Sequence, residues 1–287
     1  MTFDYIAEPK ETVSSCNLCG REDFEPFAER DRYGLAVKTV RCKGCGLVFI
    51  NPRMTAAGYR RFYSEGHYRT LLTQFYGKPI QPAQFEESQR HYAEALAAYL
   101  EPHISKRLAE GLLDVGGSAG IVAETFQRRF GLTGTVLEPS DAERALAQKR
   151  GLKTIAGTIE EFSRNGHCWD VVLLCQTVDH LLDIAGALRK LRRVVSSRGF
   201  YYMDVACFDL LIERPWVAGT ALRVPPEKVI KVDHPYYLGR DHAERYLKRA
   251  GFKVIGRSRG PLKYQVGYLC KPNGKGVAVD TQATQRA

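Results

Sequence analysis

From residue 112 to residue 270 the sequence alternates short apolar runs with amphipathic segments, and this alternation restricts the possible folds more than any other feature. The run "LLDV" ends in glycines, as buried parallel strands do, and an amphipathic stretch with Ile121, Val122 and Phe126 on one face follows it. The same order recurs in "GTVLEPS" and "DAERALAQKRG", and again in "WDVVLLCQTV" and "DIAGALRKLRRVV". Strands alternating with helices predict an α/β fold with a doubly wound, mostly parallel sheet.

The predicted sheet domain covers residues 84–270. It begins with a helix over 84–100 and ends in a pair of strands, "FKVIGRSR" and "KYQVGYLC". The polar segment 271–287 predicts a flexible tail. A cysteine-containing module over 1–55 and a Tyr- and Arg-rich connector over 56–83 precede the sheet domain.

Two Cys-x-x-Cys motifs lie in the first module. Their thiols belong to Cys16, Cys19, Cys42 and Cys45. Paired motifs of this spacing are typical of a tetrahedral zinc site, and Gly20 and Gly44 lie where the turns around such an ion need glycine. A redox pair would need one motif between a strand and a helix, and neither motif has that setting. We predict a small structural zinc ribbon, which staples a segment too short to bury much core; a redox or non-binding site is the alternative.

A glycine-rich turn, "DVGGSAG", follows the first strand of the sheet domain. Gly116 and Gly120 let the backbone approach a ligand at the sheet edge where doubly wound folds bind ligands. Glu138 ends the next strand, where an acid accepts hydrogen bonds from both hydroxyls of a ribose. Asp114 would repel a pyrophosphate but suits a cationic ligand. Ser118 stands where a dinucleotide fingerprint has its middle glycine, so the turn fits a dinucleotide poorly.

The segments "LLDVGGSAG", "VLEPS", "WDVVLLCQTVDHLLD" and "LRRVVSSRGFYYMDV" together resemble the class I S-adenosylmethionine-dependent methyltransferases, over about residues 84–270. The resemblance implies S-adenosylmethionine as the cofactor. In that family the first acid and the glycines hold the amino-acid part, which points to Asp114, Gly116 and Gly120. The acid after the second strand holds the ribose, which points to Glu138.

The same resemblance implies further cofactor residues. Thr158 and Ile159 follow the third strand, where the family flanks the adenine. Gly117 replaces the family's usual cysteine, a mild departure because that residue shapes the backbone. Gln176, after the fourth strand, completes the predicted set.

The cysteine module ends in "CGLVFINPR" and leads into the Tyr-rich connector. This arrangement resembles methyltransferases that modify nucleotide-linked sugars in surface-polysaccharide and antibiotic pathways. The resemblance implies a small anionic acceptor, a nucleotide-linked sugar. The acceptor atom, whether oxygen, nitrogen or carbon, stays open.

Two histidines are candidate catalytic residues. His180 lies in "VDHL" where related enzymes have "LEH"; it would lie beside the transferred methyl group, or else cap the next helix. His234 lies in "VDHPYY", where related sugar methyltransferases carry an acid–histidine pair followed by aromatics; it is the candidate general base, or else an exposed loop residue. Asp233 is grouped with the two histidines, although adjacent side chains of an extended segment point in opposite directions. The candidate acceptor-binding residues are Tyr63, Tyr68 and Tyr236; Tyr63 and Tyr68 line the acceptor cleft or else pack against the ribbon.

Two other functions compete with this interpretation. The net charge of +10 favours anionic partners, so an RNA base methyltransferase with an N-terminal zinc module is the first alternative. The long gap between the two cysteine motifs and the lack of an aromatic-plus-basic stripe disfavour it without excluding nucleic acid. A non-catalytic zinc-binding adaptor is the second alternative, and the intact Asp114, Gly116 and Glu138 argue against it.

The N-terminal "MTFDYIAEPK" has neither the basic nor the apolar region of a signal peptide. No run approaches the roughly 18 apolar residues of a membrane span. We therefore expect a cytoplasmic protein without membrane insertion, in a compartment where disulfides are rare. The sequence does not indicate an oligomeric state.

Overall fold

The computed structural model of the 287-residue chain describes residues 3–79, 81–104, 111–163, 166–212, 224–259 and 264–274. The N-terminal strands are β1 (Lys10–Glu11), β2 (Phe24–Ala28), β3 (Thr39–Cys42), β4 (Val48–Ile50) and β5 (Arg53–Met54). The helices that follow are α1 (Ala56–Ser64), α2 (His67–Tyr76) and α3 (Pro82–Leu100). The alternating part comprises β6 (Leu112–Val115), α4 (Ile121–Phe130), β7 (Gly134–Glu138), α5 (Asp141–Lys149), β8 (Lys153–Ala156), β9 (Trp169–Leu174), α6 (Ile184–Val194) and β10 (Val195–Ala206). The last elements are α7 (Phe208–Ile212), β11 (Tyr236–Tyr237), α8 (Arg240–Arg249), β12 (Phe252–Arg259) and β13 (Gln265–Pro272).

The central sheet has the order β12-β13-β10-β9-β6-β7-β8 within the described residues. Strands β10, β9, β6, β7 and β8 run parallel, whereas β13 is antiparallel to both β10 and β12. Every residue of β6, β7 and β9 is buried, because helices cover both faces of the sheet. The predicted α/β fold with a doubly wound, mostly parallel sheet is confirmed.

The strand order reverses between β6 and β9, and both strands lead into the same crevice. In doubly wound sheets the carboxyl ends of the strands at such a reversal bind ligands. The predicted glycine turn follows β6, and Gln176 and His180 follow β9. The topology therefore brings the two predicted groups of site residues to one edge of the sheet.

The N-terminal module forms a second sheet, of order β11-β4-β3-β2 in the part of the chain that the structure describes. Strand β11 comes from the far end of the chain, and it pairs antiparallel with β4 through Tyr236 opposite Phe49. The backbone N–H of Ile50 also donates to the carbonyl oxygen of Pro235, at 3.0 Å. The cysteine module and the segment that carries His234 are thus joined by main-chain hydrogen bonds.

Most predicted element boundaries lie close to those of the structure. Helix α3 begins at Pro82 rather than at residue 84, since proline suits the first helical turn. Strand β13 continues to Pro272, where it pairs with Phe252, so the predicted tail begins two residues inside the sheet. The rest of that predicted tail, 275–287, lies outside the described residues. The connector folds as α1 and α2, and the division into domains stays a prediction.

Across the segments that the structure describes, no helix combines the length and the apolar character needed to cross a membrane.

Candidate functional site

The turn after β6 has a backbone that only glycine adopts easily. Gly116 and Gly120 have φ angles of 70° and 79°. A Cβ atom on Gly116 would lie 2.7 Å from the Thr177 side chain, and one on Gly117 would lie 2.6 Å from Asp114 Oδ2. Side chains at these positions would fill the crevice, so the glycines keep the turn open to a ligand.

Asp114 is a buried carboxylate that lacks a partner for one oxygen. It is 1% exposed, and its Oδ2 atom has no hydrogen-bond partner among the described residues. Burial, together with the negative charge of Glu138, raises the pKa of Asp114 to about 7. A positively charged group beside Oδ2 would supply the missing partner and stabilise the ionised form.

Glu138 is held at the end of β7 by main-chain amides. Its Oε2 accepts a hydrogen bond from the Ser118 N–H at 3.1 Å, and its Oε1 accepts one from the Ser140 N–H at 2.9 Å. An ionised carboxylate has about four acceptor positions, so acceptor capacity for a ribose remains.

The loop after β8 lies beside Glu138. The Gly157 N–H donates to the Glu138 carbonyl at 3.4 Å. Thr158 and Ile159 follow directly; the Thr158 N–H donates to Glu161 Oε2 at 3.2 Å, and Ile159 is buried. The predicted adenine-flanking residues are therefore next to the predicted ribose-binding residue.

Gln176 is fixed by Asp204, a residue that the sequence analysis missed. Gln176 has a φ angle of 51°, and its N–H donates to Asp204 Oδ1 at 2.6 Å. Asp204 Oδ2 accepts hydrogen bonds from Tyr92 and Gln265, and burial raises the pKa of Asp204 to about 7. Gln176 and Tyr92 line a cleft of about 410 Å³ together with the first turns of α3. In the sequence, the signal for Asp204 was the acid in "MDV", at the carboxyl end of a central strand.

His180 and His234 meet, although they come from distant segments. Their ring centroids are 4.5 Å apart. The Tyr63 hydroxyl lies 2.7 Å from His180 Nδ1, and the Tyr68 ring lies 6.0 Å from the Tyr63 ring. Burial, and then the facing His234, lower the pKa of His180. The structure thus brings these four predicted residues into one cluster.

His234 contacts a carboxylate that the sequence analysis did not single out. Its Nδ1 atom lies 2.9 Å from Asp179 Oδ2, while its Nε2 atom lies 3.1 Å from Lys231 Nζ. Asp179 is the middle residue of the short turn Val178–His180, immediately before His180. In the sequence, the signal for Asp179 was the acid in "VDHL". The neighbouring residues did not indicate the direction of its side chain.

Asp233 is 1% exposed, and neither carboxylate oxygen has a hydrogen-bond partner among the described residues. Its Oδ2 atom lies 3.5 Å from His234 Nε2. Tyr236 is placed differently: its ring is buried, and its hydroxyl contacts Arg53 and donates to the Leu182 carbonyl. The role of Tyr236 in acceptor binding stays a prediction.

The four cysteines of the N-terminal module converge. The Sγ atoms of Cys16 and Cys45 lie 3.5 Å apart, as do those of Cys19 and Cys42, and all four atoms lie within 4.8 Å of one another. Four thiolates at ~2.3 Å from a tetrahedral zinc ion would be about 3.8 Å apart, so the donor set fits zinc.

The turn glycines of the two motifs are Gly20 and Gly46, each with a φ angle of 78°. The predicted turn role of Gly44 is wrong. A Cβ on Gly44 would instead lie 2.3 Å from the Arg21 side chain, so its small size serves a close contact.

Residues 85–256 match the family model described as a methyltransferase domain, and this span is more than half of the chain. The chain belongs to this methyltransferase family. It contains an S-adenosylmethionine-dependent methyltransferase domain.

Similar proteins include a ubiquinone biosynthesis O-methyltransferase of Methylocella silvestris, 34% identical over 104 residues. That match covers 33% of this chain and 40% of the relative, less than half of its length. A solved complex between the Haloferax volcanii Trm112 methyltransferase activator and a methyltransferase is 12% identical, covers 66% of this chain and 92% of that chain, and has a TM-score of 0.51. An S-adenosylmethionine-dependent methyltransferase of Clostridium acetobutylicum is 13% identical, covers 65% and 92% of the two chains, and has a TM-score of 0.49. The Haloferax structure shows a shared fold and no more.

The methyltransferase domain has a crevice whose groups suit S-adenosylmethionine. Asp114 has an unpartnered oxygen for the cofactor's ammonium group, and Glu138 has acceptor capacity for its ribose. These assignments stay proposals, and Glu138 offers the simplest test.

Replacing Glu138 by alanine is expected to weaken S-adenosylmethionine binding at least tenfold, measured by calorimetry. Each charge-assisted hydrogen bond to a ribose hydroxyl contributes about 1.5–3 kcal/mol. Glu244→Ala is the matched control, because Glu244 pairs with Arg257 on the surface away from the crevice. An unchanged affinity in the Glu138 variant would remove this residue from the cofactor site.

Proposed function

We propose that this protein transfers the methyl group of S-adenosylmethionine to a small anionic acceptor, a nucleotide-linked sugar. The observation that carries the proposal is the cluster of His180, His234 and Asp233 beside the cofactor turn, in which His234 and Asp233 are buried. Thr177, whose side chain would touch a Cβ on Gly116, immediately precedes the turn that ends in His180. The cluster therefore borders the crevice from which the methyl group would come.

The residues of the cluster suit an acceptor that must lose a proton. S-adenosylmethionine, held by Asp114 and Glu138, would supply a methyl group on a sulfonium, and the electron pair of the carbon–sulfur bond would pass to sulfur. His234 Nε2 would take the proton of an acceptor hydroxyl, whose oxygen would receive the methyl group. General base catalysis of this kind contributes roughly 10²–10⁴-fold. The surrounding side chains align the acceptor with the carbon–sulfur bond, the other large contribution to methyl transfer.

The polar groups around the histidines suit a polyhydroxyl acceptor. Asp233 has two buried oxygens without hydrogen-bond partners in the described part of the chain, and such oxygens accept hydrogen bonds from neighbouring sugar hydroxyls. Tyr63 connects His180 with the Asp233 carbonyl, which its hydroxyl approaches to 3.4 Å. Tyr68 packs beside Tyr63 and extends this wall. The net charge of +10 favours the phosphates of a nucleotide-linked sugar.

We also propose that Cys16, Cys19, Cys42 and Cys45 bind one structural zinc ion. A closed four-thiolate site has no open position for catalysis, so the ion stabilises the fold. His242 Nε2 lies 2.9 Å from the Cys45 carbonyl, and Asn17 Nδ2 donates to Asp183 at 2.8 Å. The zinc module is thus bound to the methyltransferase domain through α8 and the start of α6.

The acceptor is tested with S-adenosylmethionine that carries a labelled methyl group. The purified protein is offered a panel of nucleoside-diphosphate sugars, the corresponding free sugars and total RNA in separate and competing reactions. We expect label in nucleotide-linked sugars, since these combine hydroxyls for Asp233 with phosphates for the basic surface. Label confined to RNA would support the base-methylating alternative and contradict the proposal. Absence of label from every acceptor, with intact cofactor binding, would contradict the sugar assignment.

A further inference from the structure

We infer that Asp179 is a positioning residue that fixes the tautomer of His234 and stabilises its protonated form during proton abstraction. This inference rests on the proposed function, in which His234 is the general base. Asp179 is not one of the predicted site residues, and it lies outside the acid–histidine pair Asp233–His234.

The contact between the two residues determines where the proton of His234 lies. An ionised carboxylate only accepts hydrogen bonds, so the 2.9 Å contact with Asp179 Oδ2 requires a proton on Nδ1 of His234. Burial alone would raise the pKa of Asp179, but the facing His234 and His180 outweigh it and hold that pKa well below its usual range. Asp179 is therefore ionised, and the lone pair of neutral His234 is on Nε2, where it accepts a hydrogen bond from Lys231 Nζ at 3.1 Å that an acceptor hydroxyl would have to replace.

The other carboxylate near His234 does not serve this purpose. Asp233 precedes His234 in the chain, and its Oδ2 atom lies 3.5 Å from Nε2, on the side of the ring away from Asp179. Neither Asp233 oxygen accepts a hydrogen bond from the described residues. Asp233 therefore does not contact Nδ1 of His234, and Asp179 is the carboxylate that holds this ring.

Asp179 and His234 are each attached to a rigid part of the fold. Asp179 lies in the turn Val178–His180 after β9, a central strand of the sheet. His234 precedes Pro235, whose carbonyl accepts from Ile50 in the zinc module, and the Val232 N–H donates to Asp31. The Asp179–His234 contact joins these two supports across the acceptor site. Both side chains are about nine-tenths buried, which keeps the interaction strong.

The groups facing His234 come from several elements. They are Asp179 at Nδ1, Lys231 and Asp233 near Nε2, the His180 ring at 4.5 Å and the Tyr237 ring at 6.3 Å. Among them, Asp179 is the carboxylate that contacts Nδ1.

The decisive variant is Asp179→Asn, which keeps the shape of the side chain and removes its charge. An asparagine amide can donate to Nδ1, and it then selects the tautomer whose Nε2 carries the proton and cannot act as a base. We expect turnover to fall by about 10²–10⁴-fold, as when the aspartate of a Ser-His-Asp triad is replaced by asparagine. We also expect S-adenosylmethionine affinity to stay unchanged. Asp241→Asn, on the exposed face of α8, is the matched control.

A double-variant cycle separates positioning from a general loss of structure. If Asp179 acts through His234, adding Asp179→Asn to His234→Ala costs no further turnover. Additive losses would overturn the inference. Asp233→Asn is expected to raise the acceptor KM.

A bound metal ion is the competing use of the same atoms. Donor atoms of Asp179, His180 and His234 lie within 4.8 Å of one another. If the two side chains act as a hydrogen-bonded pair, the wild-type protein and Asp179→Asn contain equal amounts of metal. Loss of one metal equivalent in the variant would overturn the inference.

Nuclear magnetic resonance of ¹⁵N-labelled histidine tests the tautomer without any acceptor. We expect the His234 proton on Nδ1 in the wild-type protein and a changed tautomer in Asp179→Asn. A proton on Nε2 in the wild-type protein would contradict the inference whatever the acceptor is. A proton on Nδ1, together with a failed acceptor panel, would instead leave the Asp179–His234 contact supported and the sugar assignment contradicted.

Discussion

Replacing His234 by alanine is expected to lower turnover on the true acceptor at least a hundredfold, while the affinity for S-adenosylmethionine stays intact. The variant loses the proposed general base, the Nε2 atom of His234. Among the described residues, no other histidine Nε2 atom lies beside both Asp233 and Lys231. General base catalysis contributes roughly 10²–10⁴-fold, so the loss falls in this range. Steady-state kinetics measure turnover, and calorimetry measures cofactor binding.

His167→Ala is the matched control for this variant. His167 is exposed, and its described ring contact is with Trp169, away from the cluster. His180→Ala is expected to lower turnover at least about tenfold. His180 contacts the Tyr63 hydroxyl and is not the proposed general base. Near-wild-type turnover of the His234 variant would assign the base to His180. If both variants stay active, an acceptor that is already nucleophilic, such as an amine, becomes the better proposal.

Replacing Cys42 by serine is expected to remove the zinc ion and to lower the thermal stability of the protein sharply. Structural zinc contributes about 10–16 kcal/mol of binding free energy in small zinc domains, and Cys42 is fully buried. Strand β4 follows Cys45 closely and pairs with β11, which begins two residues after His234. Loss of the ion is therefore also expected to loosen the support of His234. Turnover should therefore fall together with zinc content and melting temperature.

Elemental analysis of the purified wild-type protein should find one zinc ion per chain in the four-cysteine site. Cys168→Ser is the matched control, because Cys168 lies outside both motifs and is partly exposed. That variant should keep its zinc and its melting temperature. A folded wild-type protein that contains no metal, with all four thiols open to alkylation, would contradict the zinc proposal.

Local patterns predict the sheet domain well because each of its signals is short-ranged. A strand buried on both faces is apolar throughout, and the helix beside it repeats its apolar residues at helical spacing. The residues Ile121, Val122 and Phe126, predicted to share one face of α4, are indeed buried. The glycine turn also follows from local backbone geometry, since Gly116 and Gly120 adopt left-handed φ angles.

Details that depend on neighbours in space were predicted less well. The motif predicts a metal-binding turn at Gly44, but the residue with the left-handed φ angle is Gly46, and Gly44 lies against the Arg21 side chain. Asp204 fixes Gln176 because its side-chain Oδ1 accepts a hydrogen bond from the Gln176 main-chain N–H. Such contacts join residues far apart in the chain, so no local spacing reports them.

The sequence by itself determined the alternating fold, the four-cysteine group and the residue types at the cofactor crevice, because periodicity and motif spacing record local geometry. Only the tertiary structure decided how the two histidine segments meet. The pairing of β11 with β4 brings His234 to the carboxyl end of β9, where Asp179 rather than its chain neighbour Asp233 contacts Nδ1. A side chain's direction and its partner depend on packing between distant segments, and that information enters only when the chain has folded.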